Sequence, residues 1–354
     1  SWLSGPQASQ MRIDVPVAGS LHVTFDITAY ADGTTSTDVQ FNNDIAMSQS
    51  GGRVQYDATI RQNGSTVFAQ SNIDQFQYQT WHQLIYSSGA PGLLNGGVNV
   101  QHDTAAMARA GFIENYDPST GVKTTLIADE TRAMAGASTT VLGAPGFGIL
   151  GNAGITQYMA TTGGRADIGP TTQANAIWLM TQNAQAQAYA LAQADAAGSV
   201  PWHLYDPTTG TYLATTQRPN LWIDPRGTTT GGATGLTQQL PQYYSKTSPG
   251  SGWAIDPGHQ PDLSYDAYLL TGSRYYLDQL NAQASYDILI TAPSYRQNGQ
   301  DLVVNGISQV RVQAWDLRQL QEAAFINPDD SALKAYFTQA VNNNFTNLLA
   351  TIIP

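Results

Sequence analysis

Leu21-His22-Val23-Thr24-Phe25-Asp26-Ile27 sets apolar against polar side chains at every step, and Arg53-Val54-Gln55-Tyr56-Asp57-Ala58-Thr59-Ile60 does the same. A period of two, carried by β-branched and aromatic residues, is the pattern of half-buried strands. Turn residues punctuate the runs at Asp32-Gly33, Gly51-Gly52 and Asn63-Gly64. Asn-Gly between two alternating runs predicts a tight hairpin, because both residues tolerate positive φ. Short strands at this spacing predict an antiparallel β-sandwich over residues 1–110. Gln75 to His82 reads as one more strand, with Gln75, Gln77, Gln79 and Trp81 on one face and Phe76, Tyr78, Thr80 and His82 on the other. Such a strand gives the sheet either a plain polar outer face or a sugar-binding face of amides and aromatics.

The period changes near residue 103. Asp103 is placed to cap a short helix over 104–110, ended by Gly111. Residues 111–165 are rich in Gly, Ala and Thr and read as a connecting region. From residue 166 onward the spacing is helical, with helices expected at Pro170–Thr181, Ala184–Ala197, Asp262–Leu270, Ser273–Leu289, Ser308–Phe325 and Ser331–Ile352. Paired helices with short connections predict an α/α array over 166–354. The fold class is therefore α+β and multidomain: an N-terminal antiparallel β-sandwich followed by a partial (α/α) toroid of helical hairpins. A six-pair toroid needs about twice as many helices, so a homo-oligomer or an additional C-terminal segment would have to complete it. Tyr116-Asp-Pro-Ser-Thr-Gly121 and Tyr205-Asp-Pro-Thr-Thr-Gly210 share the pattern Y-D-P-x-T-G, and each predicts a tight turn.

The chain has 354 residues, with 15 basic and 26 acidic side chains and a net charge of −11. Charged residues make up 12%, half of the roughly 25% of an average soluble protein. No basic footprint exists to displace phosphate counterions, which argues against nucleic acid and anionic lipid as partners. No apolar run approaches the ~20 residues of a membrane-spanning helix, so membrane insertion is not expected. Cysteine is absent, which removes disulfides, thiolate nucleophiles and Cys-based metal sites. The lysine-poor, Asn/Gln/Gly/Thr-rich composition reads as a secreted or cell-surface protein. The chain opens Ser-Trp-Leu-Ser-Gly without an initiator Met, which suggests a removed leader or a fragment.

Four stretches carry candidate chemistry. In Thr161-Thr-Gly-Gly-Arg-Ala-Asp167, Arg165 either grips a ligand carboxylate or pairs with Asp167 to shape the loop. Pro201-Trp-His-Leu-Tyr-Asp206 and Asn220-Leu-Trp-Ile-Asp-Pro-Arg226 bring Trp202, His203, Tyr205, Trp222, Asp224 and Arg226 into non-helical connections. Aromatic faces stack on sugar C–H groups while Asp and Arg bind hydroxyls, although Trp202 and Trp222 serve equally as plugs. Next comes His259-Gln-Pro-Asp262, with Tyr265 and Asp266 following. Asp262 and Asp266 lie four apart and share a helix face, with His259 at the helix mouth. Finally, Arg311, Trp315 and Arg318 form one helix stripe that either pairs with acids or lines an acidic-ligand cleft. The five histidines are scattered, and neither H-E-x-x-H nor G-x-S-x-G occurs, so no metal or other cofactor is implied.

His259-Gln-Pro-Asp262, continued by Tyr265-Asp-Ala-Tyr-Leu-Leu-Thr-Gly-Ser-Arg-Tyr-Tyr-Leu-Asp-Gln-Leu280, resembles the H-x-P…Y-L-x-T-G-D-x-x-Y helix-pair pattern of secreted bacterial (α/α)-toroid proteins. With a β-sandwich upstream, the layout is similar to polysaccharide lyases related to exo-rhamnogalacturonan lyase and to six-hairpin glycosidases. It departs from the pattern at Ser273, where the family has Asp. The resemblance implies an extracellular protein acting on an acidic or neutral polysaccharide in a cleft between sandwich and helices. A lyase would use His259 or His203 with Tyr265 to handle the proton, and Arg165 or Arg226 to neutralise the uronate. A hydrolase would set Asp167 or Asp224 against Asp262. The alternative is a non-catalytic surface, filament or virion-associated protein that self-assembles or binds glycans.

Overall fold

A computed structural model describes residues 2–46, 48, 51–87, 100–136, 146–216, 218–219, 221–223, 250–297, 299–306 and 309–352. The protein is α+β, an antiparallel sheet followed by helices. The sheet runs β1 (Leu3–Ser4), β2 (Ala8–Ala18), β3 (Leu21–Tyr30), β4 (Thr35–Asn43) and β7 (Gln79–Tyr86), in the order β1-β2-β3-β4-β7. Between β4 and β7 the chain makes a separate hairpin, β5 (Val54–Gln62) and β6 (Ser65–Gln75). Its turn is Asn63-Gly64, with φ of 52° and 83°, the paired positive values of a type I′ hairpin.

Alternation along the strands builds two unlike faces. Val23, Phe25, Val39, Phe41, Trp81 and Ile85 lie on one face and pack against Tyr56, Ala58, Ile60, Phe68 and Ile73 of the hairpin. Phe41 stacks on Trp81 with ring centroids 4.1 Å apart. The indole N–H donates to the Tyr56 hydroxyl at 2.7 Å, and that hydroxyl donates to Gln75 Oε1 at 2.6 Å. The opposite face carries His22, Thr24, Asp26, Ser36, Asp38, Gln40, Asn42 and Thr80, and all of them are buried. This polar face is not an outer surface. It is covered by helices, so the layer between sheet and helices is a hydrogen-bonded polar stratum instead of an oily one.

Residues 75–82 are not one strand. β6 ends at Gln75, Tyr78 turns with φ of 70°, and β7 begins at Gln79. Two amides fix that corner. Gln75 Nε2 donates to the carbonyls of Phe41 (3.0 Å) and Gln79 (2.6 Å), and Gln79 Oε1 accepts from the Phe76 N–H at 2.9 Å. The glutamines read as a surface row are turn staples.

The helices among the described residues are α1 (Thr104–Arg109), α2 (Thr124–Gly136), α3 (Gln173–Thr181), α4 (Ala184–Ala196), α5 (Tyr265–Thr271), α6 (Arg274–Leu289), α7 (Val310–Ile326) and α8 (Ala332–Ile352). Asp103 caps α1 through the Ala106 N–H, as expected. α2 lies inside the stretch read as a connecting region, and it packs on α4. α3 and α4 are joined through Gln182 at φ 51° with Asn183 capping α4. α5 and α6 are joined through Gly272 at φ 68°. The helix expected from Asp262 starts at Tyr265, because Asp262 stays outside as an acceptor for the Tyr265 N–H at 3.3 Å. The second Y-D-P-x-T-G turn closes a small hairpin between β8 (Tyr205–Asp206) and β9 (Thr211–Tyr212). No described helix is long and apolar enough to cross a membrane.

α6 is the hub. It is buried almost throughout yet carries Gln279, Asn281, Gln283, Ser285 and Asp287. A helix sunk in the core must satisfy such groups internally. Asn281 and Asn327 exchange amide hydrogen bonds of 3.2 and 2.6 Å, tying α6 to the end of α7. Gln283 donates to Gln260 Oε1 and to the Pro261 carbonyl, both at 2.9 Å.

Candidate functional site

The loops singled out in the sequence do come together, but as packed interior. Trp202, Leu204, Trp222, Ile223, Trp253, Ile255 and Leu263 share one apolar cluster around Tyr286 and Leu289 of α6. Trp202 is fully buried and Trp222 is 9% exposed, so both are plugs. His203 is also fully buried, its ring nitrogens held by the Tyr78 carbonyl (2.8 Å) and the Gln279 side-chain amide. Burial pushes its pKa down, so the ring is a neutral pin between the β6–β7 corner and α6. A polymer chain has no path to it in this conformation.

Arg165 has its guanidinium fully engaged. It donates to Asp167 Oδ1 (2.8 Å) and to the carbonyls of Met159 (2.9 Å) and His259 (2.6 Å), while Asp167 Oδ2 accepts the Thr156 N–H. His259 pairs with Asp256 at 2.6 Å in a short 3-10 turn. The Tyr265 hydroxyl donates to the Phe112 carbonyl at 2.6 Å. Arg311 lies over Gly163, where an added Cβ would overlap the guanidinium. Arg318 stacks on Trp315 and donates to the carbonyls of Gly169 (2.5 Å) and Gln260 (3.3 Å). Arg318 of the stripe thus grips loop backbone. Asp224 and Arg226 lie outside the described residues.

Beneath this stripe sits a buried set of carboxyls. Asp262 and Asp266 both accept from Thr171 Oγ1, at 3.2 and 2.8 Å. Asp287 and Asp316 both accept from the Gln260 amide, at 2.8 and 3.0 Å. Burial raises the pKa of all four, and for Asp266 and Asp316 the neighbouring carboxylate adds to it. They are enclosed, and among the described residues no group of His, Asp or Glu is placed to hold a metal ion.

One open site lies elsewhere, where the polar face of the sheet meets the N-terminal half of α6. A cleft of about 200 Å³ is walled by Trp2, Tyr205 and Tyr212 and floored by Arg12, Asp14, His22, Thr24, Gln40, Asn42 and Asp44, with Arg274, Asp278, Asn281 and Asn327 opposite. Two clamps order its charges. Arg12 donates to both oxygens of Asp26 (2.7 and 2.5 Å) and reaches across to Asp278 of α6 at 2.6 Å. His22 sits between Asp14 and Asp44, each at 2.6 Å, and its ring stacks on Tyr205 at 4.9 Å. Arg274 lies over the Trp2 ring at 4.4 Å.

The charges on Arg12, His22 and Asp14 are held firmly. Burial alone would lower the His22 pKa, but Asp44 and Asp14 overrule it and push it to about 10. Burial likewise opposes the charge on Arg12, and Asp278 and Asp26 hold it charged. Burial would raise Asp14, and the bond to His22 brings it below its ordinary value. Of these three cleft groups none is poised near neutrality, where proton transfer is efficient. The arrangement suits recognition of a polar ligand by fixed donors and acceptors beside aromatic rings.

No family model, curated protein or solved structure matches the chain. Of the residues proposed from sequence, only Tyr205 lines this cleft. Trp2, Arg12, His22, Asp44, Arg274 and Asp278 were missed. One signal was available: in a chain this short of charge, Arg12, Asp14, His22 and Asp26 all fall at the polar positions of two adjacent alternating runs.

Proposed function

We propose that the protein binds a neutral glycan, without cleaving it, in the cleft between sheet and helices. The observation that carries this reading is a small concave site in which Trp2 and Tyr205 stand beside a row of amides and ion-paired side chains. Aromatic rings take the C–H face of a pyranose and the polar groups its hydroxyls. The cationic groups are Arg12, Arg274 and His22, and the facing carboxylates are Asp14, Asp44 and Asp278, so the lining is balanced. A uronate would meet Arg12 and His22 already bound to carboxylates, which favours an uncharged sugar. The volume is below the ~300–1,000 Å³ of drug-sized pockets and fits one residue of a chain or its end.

A catalytic reading has one observation of its own. A second groove of about 590 Å³ is lined by Phe112, Glu114, Tyr265, Arg318, Glu322 and Phe325. Burial and then Asp262 push Glu322 well above the usual carboxylate range, which supports a proton donor facing Glu114, as glycoside hydrolysis requires. Lyase chemistry has no comparable support. The helical pairs and the two-layer β module are also compatible with an incomplete (α/α) toroid behind a sandwich, and with a secreted or cell-surface setting, as in the lyases and glycosidases named above.

Calorimetric titration with a panel of neutral and acidic oligosaccharides, together with reducing-end release and absorbance near 235 nm, separates the readings. The expected result is binding of a neutral oligosaccharide, at least tenfold weaker in Trp2→Ala, with no new ends. Release of reducing ends that is lost in Glu322→Gln would favour the second groove, and no binding across the panel would refute the proposal.

A further inference from the structure

The sheet keeps one open edge. β1 pairs only with Ser9 and Gln10, so from Met11 onward β2 has no strand beyond it among the described residues. The Ala8 and Gln10 carbonyls accept from Gly5 and Trp2 on the β1 side, whereas the Gln7 carbonyl accepts from Ala31 on the other. Main-chain direction alternates along a strand, so Arg12 and Asp14 also point their N–H and C=O groups outward, without a main-chain partner. Pro16 takes the next outward position and, having no N–H, ends any ladder there.

One face of this edge is aliphatic. Met11, Ile13, Val15 and Val17 are 52, 45, 41 and 57% exposed. They continue the face of Val23, Phe25 and Ile27, yet the hairpin core does not reach them. Soluble proteins blunt such edges with charge or cover.

We propose that a second copy of this chain pairs here, β2 against β2, antiparallel about a two-fold axis at Ile13. The free groups select that register. Centred on Ile13, Arg12 opposes the partner's Asp14 and Asp14 opposes the partner's Arg12, each pair exchanging both main-chain hydrogen bonds. Centred one residue either way, Arg12 faces the partner's Arg12 or Asp14 faces the partner's Asp14, and β1 or Pro16 obstructs the ladder. On the aliphatic face Ile13 meets the partner's Ile13, with Met11 against the partner's Val15, at the Cβ spacing of about 4.5–5.5 Å that stabilises cross-strand pairs. The patch is on the order of 400 Å² per copy. Doubled, with the strand edges added, it approaches the ~1,000 Å² that a specific interface needs. Because Arg12 and Asp14 line each cleft, pairing sets the two clefts side by side.

Sedimentation velocity from low to high micromolar concentration tests this. The native chain should pass from monomer to dimer, and Ile13→Lys should remain monomeric with an unchanged circular dichroism spectrum. The chain has no cysteine, so Ile13→Cys should form a disulfide-linked dimer under mild oxidation, while Val67→Cys, exposed on the hairpin, should not. A native chain that stays monomeric throughout, an Ile13→Lys variant that still dimerises, or equal cross-linking from residue 67 would overturn the proposal.

Discussion

Raising the pH from 6.5 to 9 should destabilise this protein, because its fold holds two imidazolium ions that the unfolded chain releases. His22 lies between Asp14 and Asp44, and His82 lies between Asp38 (2.8 Å) and Asp195 (3.0 Å), stacked on Tyr275 at 3.7 Å. Burial opposes the charge on each ring, but the flanking carboxylates push both to about 10. An ordinary histidine titrates near 6.5. A raised folded-state pKa stabilises fully below 6.5, and the contribution is lost as pH rises toward 10. Each imidazolium contributes a slope of at most about −1.4 kcal/mol per pH unit, or about −2.7 for the pair. Asp14 and Asp195 are partly solvated, their side chains 39 and 49% exposed, so screening reduces this to about half. The expected loss between pH 7 and 9 is then about 3 kcal/mol, a large share of the ~5–15 kcal/mol of a typical domain. The buried Asp262, Asp266, Asp287 and Asp316 act in the same direction, since their raised values favour the folded state in acid. Urea unfolding followed by tryptophan fluorescence at pH 6, 7, 8 and 9 measures the slope. His22→Gln and His82→Gln should each remove about half of the histidine part. A stability that is flat or rising from pH 7 to 9, or a slope unchanged in the double variant, refutes the reasoning.

Two further substitutions probe the packing on the two faces of the sheet. Gly198→Ala places a Cβ 2.5 Å from the Thr80 carbonyl and 2.2 Å from the Tyr275 hydroxyl, and this overpacking should cost about 1–3 kcal/mol in urea unfolding. Trp81→Ala removes the ring that Phe41 and Phe68 pack against and should cost about 3–5 kcal/mol. A shift of the urea midpoint by less than a tenth of its value in either variant would contradict the packing described.

Much of the framework was legible because it follows from local chemistry. Asn63-Gly64, Asp103 and the 205–210 turn each declare themselves through a backbone preference that needs no tertiary context. The helix pairs after residue 166 were legible through spacing, with starts displaced by up to three residues. At 75–82 the alternation continued across a corner, where Tyr78 at positive φ is held by the Asn43 carbonyl and the His203 ring, both distant in sequence. α2 was hidden by Gly- and Thr-rich flanks. The site was hidden for a different reason: alternation shows that a strand has a polar face, but not whether water or a helix lies against it. Here Asp278 on α6 completes the clamp around Arg12 from 266 residues away. The tryptophans that looked most like ligand platforms, Trp202 and Trp222, are in the core, since a large aromatic in a loop serves packing as readily as binding.

The proposed ligand enters between Trp2 and Tyr205, against the charged floor of the sheet. Hydrogen–deuterium exchange with and without the tightest-binding neutral oligosaccharide tests it most directly. Added protection is expected only at residues 10–16, 22–26, 205–212 and 274–281. Protection confined instead to 111–114 and 318–325, or none at saturating ligand, would contradict it.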